Sequence, residues 1–174
     1  MTIVLQRGDI ATVAADVIVN AANESLIAGG GVDGALHDAA GPQLQEACLS
    51  IPELKPGVRC PTGDAVVTPA FQLDAEFVVH AVGPLWRGGG HDEEGLLRRA
   101  CRRALQLCDE HHAETVAMPA ISCGAFGFPV HLAVDVLVGE ARSALTSLEN
   151  LRHLTFVIDD DEVEDAFRER LEHG

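Results

Sequence analysis

A chain of 174 residues at 47% hydrophobic content is long enough for one domain with a full core, which excludes a disordered polymer. Its net charge of −15, with Lys55 the only lysine, excludes the basic surface that holds nucleic acid by neutralising phosphates. No apolar run reaches the roughly 18 residues of a membrane span, and Met1 to Arg7 is too short and interrupted for a signal peptide, so the expectation is a soluble, cytoplasmic protein.

Thr2 to Arg7 alternates weakly and predicts a first strand, closed by the turn Gly8-Asp9-Ile10, where Asp9 can bond its own backbone. Asp16 to Val19 is a β-branched run that predicts a buried strand. It runs into Asn20, Asn23 and the glycines Gly29, Gly30 and Gly31, after which Asp33, Leu36, His37 and Ala40 take helical spacing behind an Asp at an N-cap position. Three glycines let the backbone approach a ligand closely, and a helix start offers free N–H groups to a phosphate. Ordinary turn chemistry accounts for the same residues when they are taken alone. Gly29-x-Gly31-x-x-Gly34 has the glycine spacing of a dinucleotide-binding turn, but the stretch about twenty residues on is a Pro- and Gly-rich loop rather than a strand ending in an acidic residue for a ribose. This speaks against a nicotinamide-dependent oxidoreductase, and no glycine loop ends in Lys-Ser or Lys-Thr as a P-loop requires.

Gly41-Pro42 breaks the helix, so a second short helix is expected from about Pro42, followed by a Pro- and Gly-rich loop over 51–63. Strands are expected at 65–69 and 76–82; His80, alone on an apolar strand, reads as a hydrogen-bonded core histidine. Trp86 and the glycines 88–90 predict a surface loop. An apolar stripe through Leu96, Leu97, Ala100, Ala104, Leu107 and Cys108 predicts a helix over 93–112, whose Arg98, Arg99, Arg102 and Arg103 suit a solvated face. Five cysteines without a C-x-x-C pair suit reduced thiols, and Cys108 with His111 and His112 makes no convincing metal site.

A buried strand at 115–119 leads into Ser122, Cys123, Gly124, Ala125, Phe126 and Gly127, then a helix from about Pro129 to 146. Glycines there can turn backbone N–H groups into a concave nest for oxygens, with the Ser122 hydroxyl beside them. Two such loops at adjacent strand ends can grip one pyrophosphate, although Phe126 and Phe128 alone read as core aromatics. A last strand at 154–158 and an acidic helix at 160–173 complete an α/β three-layer domain around a mixed, largely parallel sheet of six strands.

Asn20-x-x-Asn23, then Gly30-Gly31-Val32-Asp33-Gly34-Ala35-Leu36-His37, closely resembles the first binding loop of macro domains, most of all the MacroD-type ADP-ribosylhydrolases. Ser122-x-Gly124-x-Phe126-Gly127 resembles that family's diphosphate loop, and Cys60-Pro-Thr-Gly63 and His80-x-Val-Gly-Pro84 match its framework, so the resemblance covers nearly the whole chain as one macro domain, 1–174. The resemblance implies ADP-ribose as ligand, and as reaction the hydrolysis of mono-ADP-ribose esters on acidic side chains or of O-acetyl-ADP-ribose. It implies no cofactor and no metal; the expected partners are ADP-ribose and ADP-ribosylated proteins, with no membrane, and the acidic surface suggests a monomer. It further implies that Asp33 directs the attacking water, Asn23 holds the distal ribose and Asn20 supports the loop. On the same basis Gly30, Gly31, Val32 and the run Ser122, Cys123, Gly124, Ala125 and Phe126 cradle the phosphates; with a helix beginning near Asp33, His37 sits one turn on and faces the same way, behind Asp33. Asp9 and Ile10 are then expected to read adenine. Many members stack an aromatic on the adenine where this chain has Asp159, so Phe156 is the alternative source of a ring. The rival reading is a non-catalytic module that binds ADP-ribose on modified proteins.

Overall fold

The computed structural model describes residues 2–174. Its strands are β1 (Thr2–Arg7), β2 (Val17–Ala21), β3 (Ala65–Pro69), β4 (Phe77–Ala81), β5 (Thr115–Met118) and β6 (His153–Ile158). Five helices join or follow them: α1 (Gly31–Ala40), α2 (Pro42–Leu49), α3 (Glu93–Glu110), α4 (Val130–Ser147) and α5 (Asp161–His173). The sheet runs β1-β6-β5-β2-β4-β3, parallel throughout except for the antiparallel pair β3–β4. This is the six-stranded, mixed and largely parallel α/β sheet that the sequence predicts.

Alternation along the strands sets the layers. Val17, Val19, Met118, Leu154 and Phe156 face α3, α4 and α5, where Phe156 stacks on Phe167 with ring centroids 4.6 Å apart. Ile18, Val78, Ala117 and Val157 face the other way, against Leu36 and Ala40 of α1 and Leu44 of α2. The sheet is thus covered on both faces, as its near-continuous apolar strands require. Gly41, at φ +84°, separates α1 from α2, and Pro42 opens α2 where its missing N–H costs nothing. α3 ends at Glu110, two residues short of the expected 112, because its C-cap His111 and the left-handed His112 (φ +58°) turn the chain out of the helix.

Candidate functional site

β1, β6, β5 and β2 are adjacent and parallel, so the loops leaving their carboxyl ends meet along one edge. Two joined cavities lie there, of about 460 and 260 Å³. Gly31, Val32, Ala120 and Gly124 line both, so the helix start after β2 and the loop after β5 form the waist of one cleft.

α1 begins at Gly31 with Gly30 as its N-cap, so Asp33 is not the cap that the sequence suggests. Gly30 has no side chain to close the helix end, and the first N–H groups of α1 stay open toward the cleft. Asp33, in the first turn, faces back toward the loop instead. Its Oδ2 accepts from the Gly29 N–H at 2.7 Å and its Oδ1 from the Asn20 amide at 2.7 Å. The loop can close this tightly because residue 34 is glycine: a Cβ there would stand 2.6 Å from the Gly29 carbonyl oxygen. His37, one turn on, is buried with Nε2 3.4 Å from the same Oδ1. Asn23 shares the lining of the smaller cavity with Asp33. Its amide is already engaged in its own loop: Nδ2 donates to the Ile27 carbonyl at 2.8 Å, and Oδ1 accepts from the Ser25 N–H and hydroxyl.

The opposite wall is the loop Pro119 to Pro129. Ser122 sits at φ +67° and Gly127 at φ +67°, two left-handed residues that curl the chain around the segment between them. Phe128 N–H donates to the Ser122 carbonyl at 3.0 Å and Gly127 N–H to the Gly124 carbonyl at 3.0 Å, pinning that curl. Among the described residues nothing accepts from the N–H groups of Gly124, Ala125 and Phe126. The Ser122 hydroxyl is buried and likewise without a partner. Open donors of this kind, opposite the start of α1, suit the oxygens of a pyrophosphate. Cys123 stands half-buried on the wall of the larger cavity, where burial first, and the Asp160 carboxylate second, push its thiol up to about 12.

Asp9 and Ile10 end the larger cavity together with Asp159, Asp160 and Glu162. Asp9 is exposed and caps the short 3₁₀ turn Ile10–Thr12, accepting from the Ala11 N–H at 2.9 Å through one oxygen. Phe156 does not supply a ring here. It has no exposed surface and points to the α4/α5 face, because it occupies an alternate position of β6 from Val157, which does line the cavity. Asp159 therefore stands at this end without an aromatic neighbour from β6.

Several residues of the site carried no sequence signal. Val130 lines the larger cavity as the first residue of α4, and Asp160 caps α5 by accepting from the Val163 N–H at 3.0 Å while also reaching the cavity. Trp86 packs on Phe128 at 4.8 Å between ring centroids, and its backbone N–H donates to the Phe126 carbonyl at 2.8 Å, tying the glycine-rich surface loop to the phosphate-side loop. A third cavity of about 420 Å³ opens beyond Asn23, Gly83 and Phe126, between that surface loop and Glu24.

The macro domain family model matches residues 19–137. A macro domain-containing protein of Xanthomonas axonopodis pv. citri is 44% identical over 171 residues, covering 98% of this chain and 96% of the relative. An O-acetyl-ADP-ribose deacetylase of Citrobacter rodentium is 44% identical over 165 residues, covering 95% of this chain and 92% of the relative. A variant of the Oceanobacillus iheyensis macrodomain with ADPR superposes with a TM-score of 0.90 at 35% identity, covering 97% of this chain and 91% of that one.

Proposed function

The chain belongs to the macro domain family, and on that premise we propose that it is an ADP-ribosylhydrolase. It binds ADP-ribose along the cleft and hydrolyses esters at the distal ribose: mono-ADP-ribose on acidic side chains, O-acetyl-ADP-ribose, or both. In support, a 44% identical relative is named an O-acetyl-ADP-ribose deacetylase and a structural neighbour was solved with ADPR.

One observation carries the catalytic reading. Asp33 and Asn23 converge on the same spot, their side chains 3.5 and 3.8 Å from where a Cβ on Gly29 would stand, beside the open helix start. A pyrophosphate held at the waist between α1 and the Gly124–Phe126 donors leaves its distal ribose in the smaller cavity. Asn23 then holds the ribose hydroxyls. Two N–H donors leave lone pairs on the Asp33 carboxylate, which takes a hydrogen bond from a water and orients it toward the ester. The water oxygen bonds to the ester carbon, the bond to the ribose oxygen breaks, and a carboxylic acid leaves with a free ribose hydroxyl. No covalent intermediate is needed, since holding the water and the ester in reacting geometry can itself lower the barrier by about 7–11 kcal/mol.

A second reading, ADP-ribose binding without turnover, draws on the engagement of Asn23 with Ile27 and Ser25, which must be exchanged before the amide can reach a ribose. The test is ADP-ribose release from a glutamate-modified protein and acetate release from O-acetyl-ADP-ribose, with Asp33→Ala and Asn23→Ala alongside. Turnover that collapses in both variants supports the hydrolase. Calorimetric binding of ADP-ribose with no turnover of either ester makes the protein a binding module.

A further inference from the structure

Behind the cleft, four side chains form one line of hydrogen bonds that ends on Asp33. Asn20 and His80 are register partners on the parallel strands β2 and β4, and neither has exposed surface. Both point to the face covered by α1 and α2, where apolar residues are the rule and buried polar atoms pair inside the protein. Of the polar side-chain atoms in this line, Asn20 Oδ1 alone is without a partner among the described residues.

The direction of every bond in the line is determined. Asp33 accepts from Gly29 and can only accept from Asn20, so the group 2.7 Å from its Oδ1 is the Asn20 NH2. The second N–H of that amide meets His80 Nδ1 at 3.1 Å, which must therefore carry a lone pair. The proton then lies on Nε2, which donates to Thr68 Oγ1 at 2.9 Å, and the Thr68 hydroxyl donates onward to the Pro69 carbonyl at 3.1 Å.

We infer that His80 is a positioning residue. As the neutral imidazole protonated at Nε2, it holds the Asn20 amide with its NH2 toward Asp33 and so fixes the carboxylate at the reacting end of the cleft. This rests on the reading of Asp33 as the group that orients the water. The groups that face the ring are Asn20 from β2, Thr68 from β3, Cys48 Sγ at 3.7 Å from α2, and His37 of α1 with its ring centroid 6.4 Å away; Asp33 lies beyond Asn20. Burial, and second the field of His37, push His80 down to about 3, so it stays neutral across the physiological range. A proton on Nδ1 would face the Asn20 NH2, one of the two would turn away, and Asp33 would lose a donor.

The experiment combines nitrogen-resolved NMR of the wild-type imidazoles with kcat, ADP-ribose Kd and melting temperature for His80→Phe, His80→Asn and Thr68→Val. The asparagine oxygen stands near the place of Nδ1 and restores the acceptor, whereas phenylalanine keeps bulk alone. Expected are an Nε2-protonated neutral ring at pH 7 and a kcat loss on the order of 10- to 100-fold in His80→Phe, with Kd for ADP-ribose unchanged. His80→Asn recovers kcat to within about threefold of wild type. An Nδ1-protonated ring overturns the inference whatever the activity, and so does an asparagine variant that loses as much kcat as the phenylalanine one. If His80→Phe does not fold, Thr68→Val decides: the Asn20 NH2 still demands a lone pair on Nδ1, so the tautomer and kcat are expected to be kept, and a ring that moves its proton to Nδ1 with kcat unchanged is the overturning result. A wild-type protein with the expected tautomer and no turnover instead defeats the hydrolase reading, and the catalytic part of the inference with it.

Discussion

At the distal end of the cleft Asp33 is 7% exposed, both of its oxygens accept protein hydrogen bonds, and fully buried Asn20 and His80 stand behind it. At the other end Asp9, Asp159, Asp160 and Glu162 are all exposed, and only Asp9 and Asp160 have a local backbone partner. The difference teaches where precision is needed. A group that orients a reacting water must be held within a fraction of an ångström, which takes buried, singly determined hydrogen bonds. A base that is only to be recognised can be met by a solvated rim, at some cost in affinity.

The sharpest way to break this contrast is Asp33→Ala. The loss of a positioned base should lower ester hydrolysis on the order of 10²- to 10⁴-fold, with ADP-ribose affinity changing by less than about tenfold. Initial rates beside calorimetry would show it. Comparable losses in rate and affinity would mean that Asp33 holds the loop together and nothing more.

The buried end should also write itself into the pH dependence of stability. His80 lies at about 3 in the folded protein, below the ordinary histidine value of about 6.5, so the unfolded chain binds the extra proton. Its contribution is fully present above about pH 6.5 and is lost as pH falls toward 3, an effect on the order of a few kcal/mol. The Asp16 carboxyl, held low mainly by the Thr115 N–H, adds a loss of the same sign at lower pH. Urea midpoints at pH 7 and pH 4.5 should therefore separate in the wild type and draw together in His80→Asn. Equal separation in both would assign the proton uptake elsewhere.

The open end responds to a gain. Asp159→Tyr places a ring where Phe156 cannot, and stacking of about 0.5–1.5 kcal/mol should tighten ADP-ribose two- to tenfold with kcat unchanged. An unchanged Kd would show that the base does not lie against residue 159.

How far the sequence carries depends on what each signal encodes. The six strands and five helices were legible because apolar periodicity and the Gly41-Pro42 break depend on local physics alone. The two glycine loops were legible as a pair, since backbone donors at strand ends need little from distant residues. Asp33 as an N-cap failed because the extended Gly30, at φ −94°, takes the cap and puts Asp33 inside the first turn, where Asn20 and Gly29 compete for its carboxylate. Phe156 as an adenine contact failed on strand parity, which one residue of register decides. The line from Asn20 through His80 to Thr68 spans β2, β4 and β3, and nothing along the 60-residue separation of the first two announces that they are neighbours.

The smallest effect separates the two ways of holding an anion. Donors at the waist are backbone N–H groups, short-ranged and without net charge, whereas the carboxylates of Asp9, Asp159, Asp160 and Glu162 act on an anionic ligand through solvent, in a chain of net charge −15. Salt screens the second and barely touches the first, because the Debye length falls from about 30 Å at 0.01 M to about 10 Å at 0.1 M. ADP-ribose affinity should accordingly rise a few-fold between low and moderate sodium chloride, the reverse of the loss that a lysine and arginine grip on phosphate would give. Asp159→Asn should flatten the trend by removing one of the repelling charges, while Asp33, already tied to two donors inside the protein, contributes mainly at contact range. Affinity that falls with salt would require a cation at the cleft, and Arg87 on the rim of the third cavity is the group to substitute next.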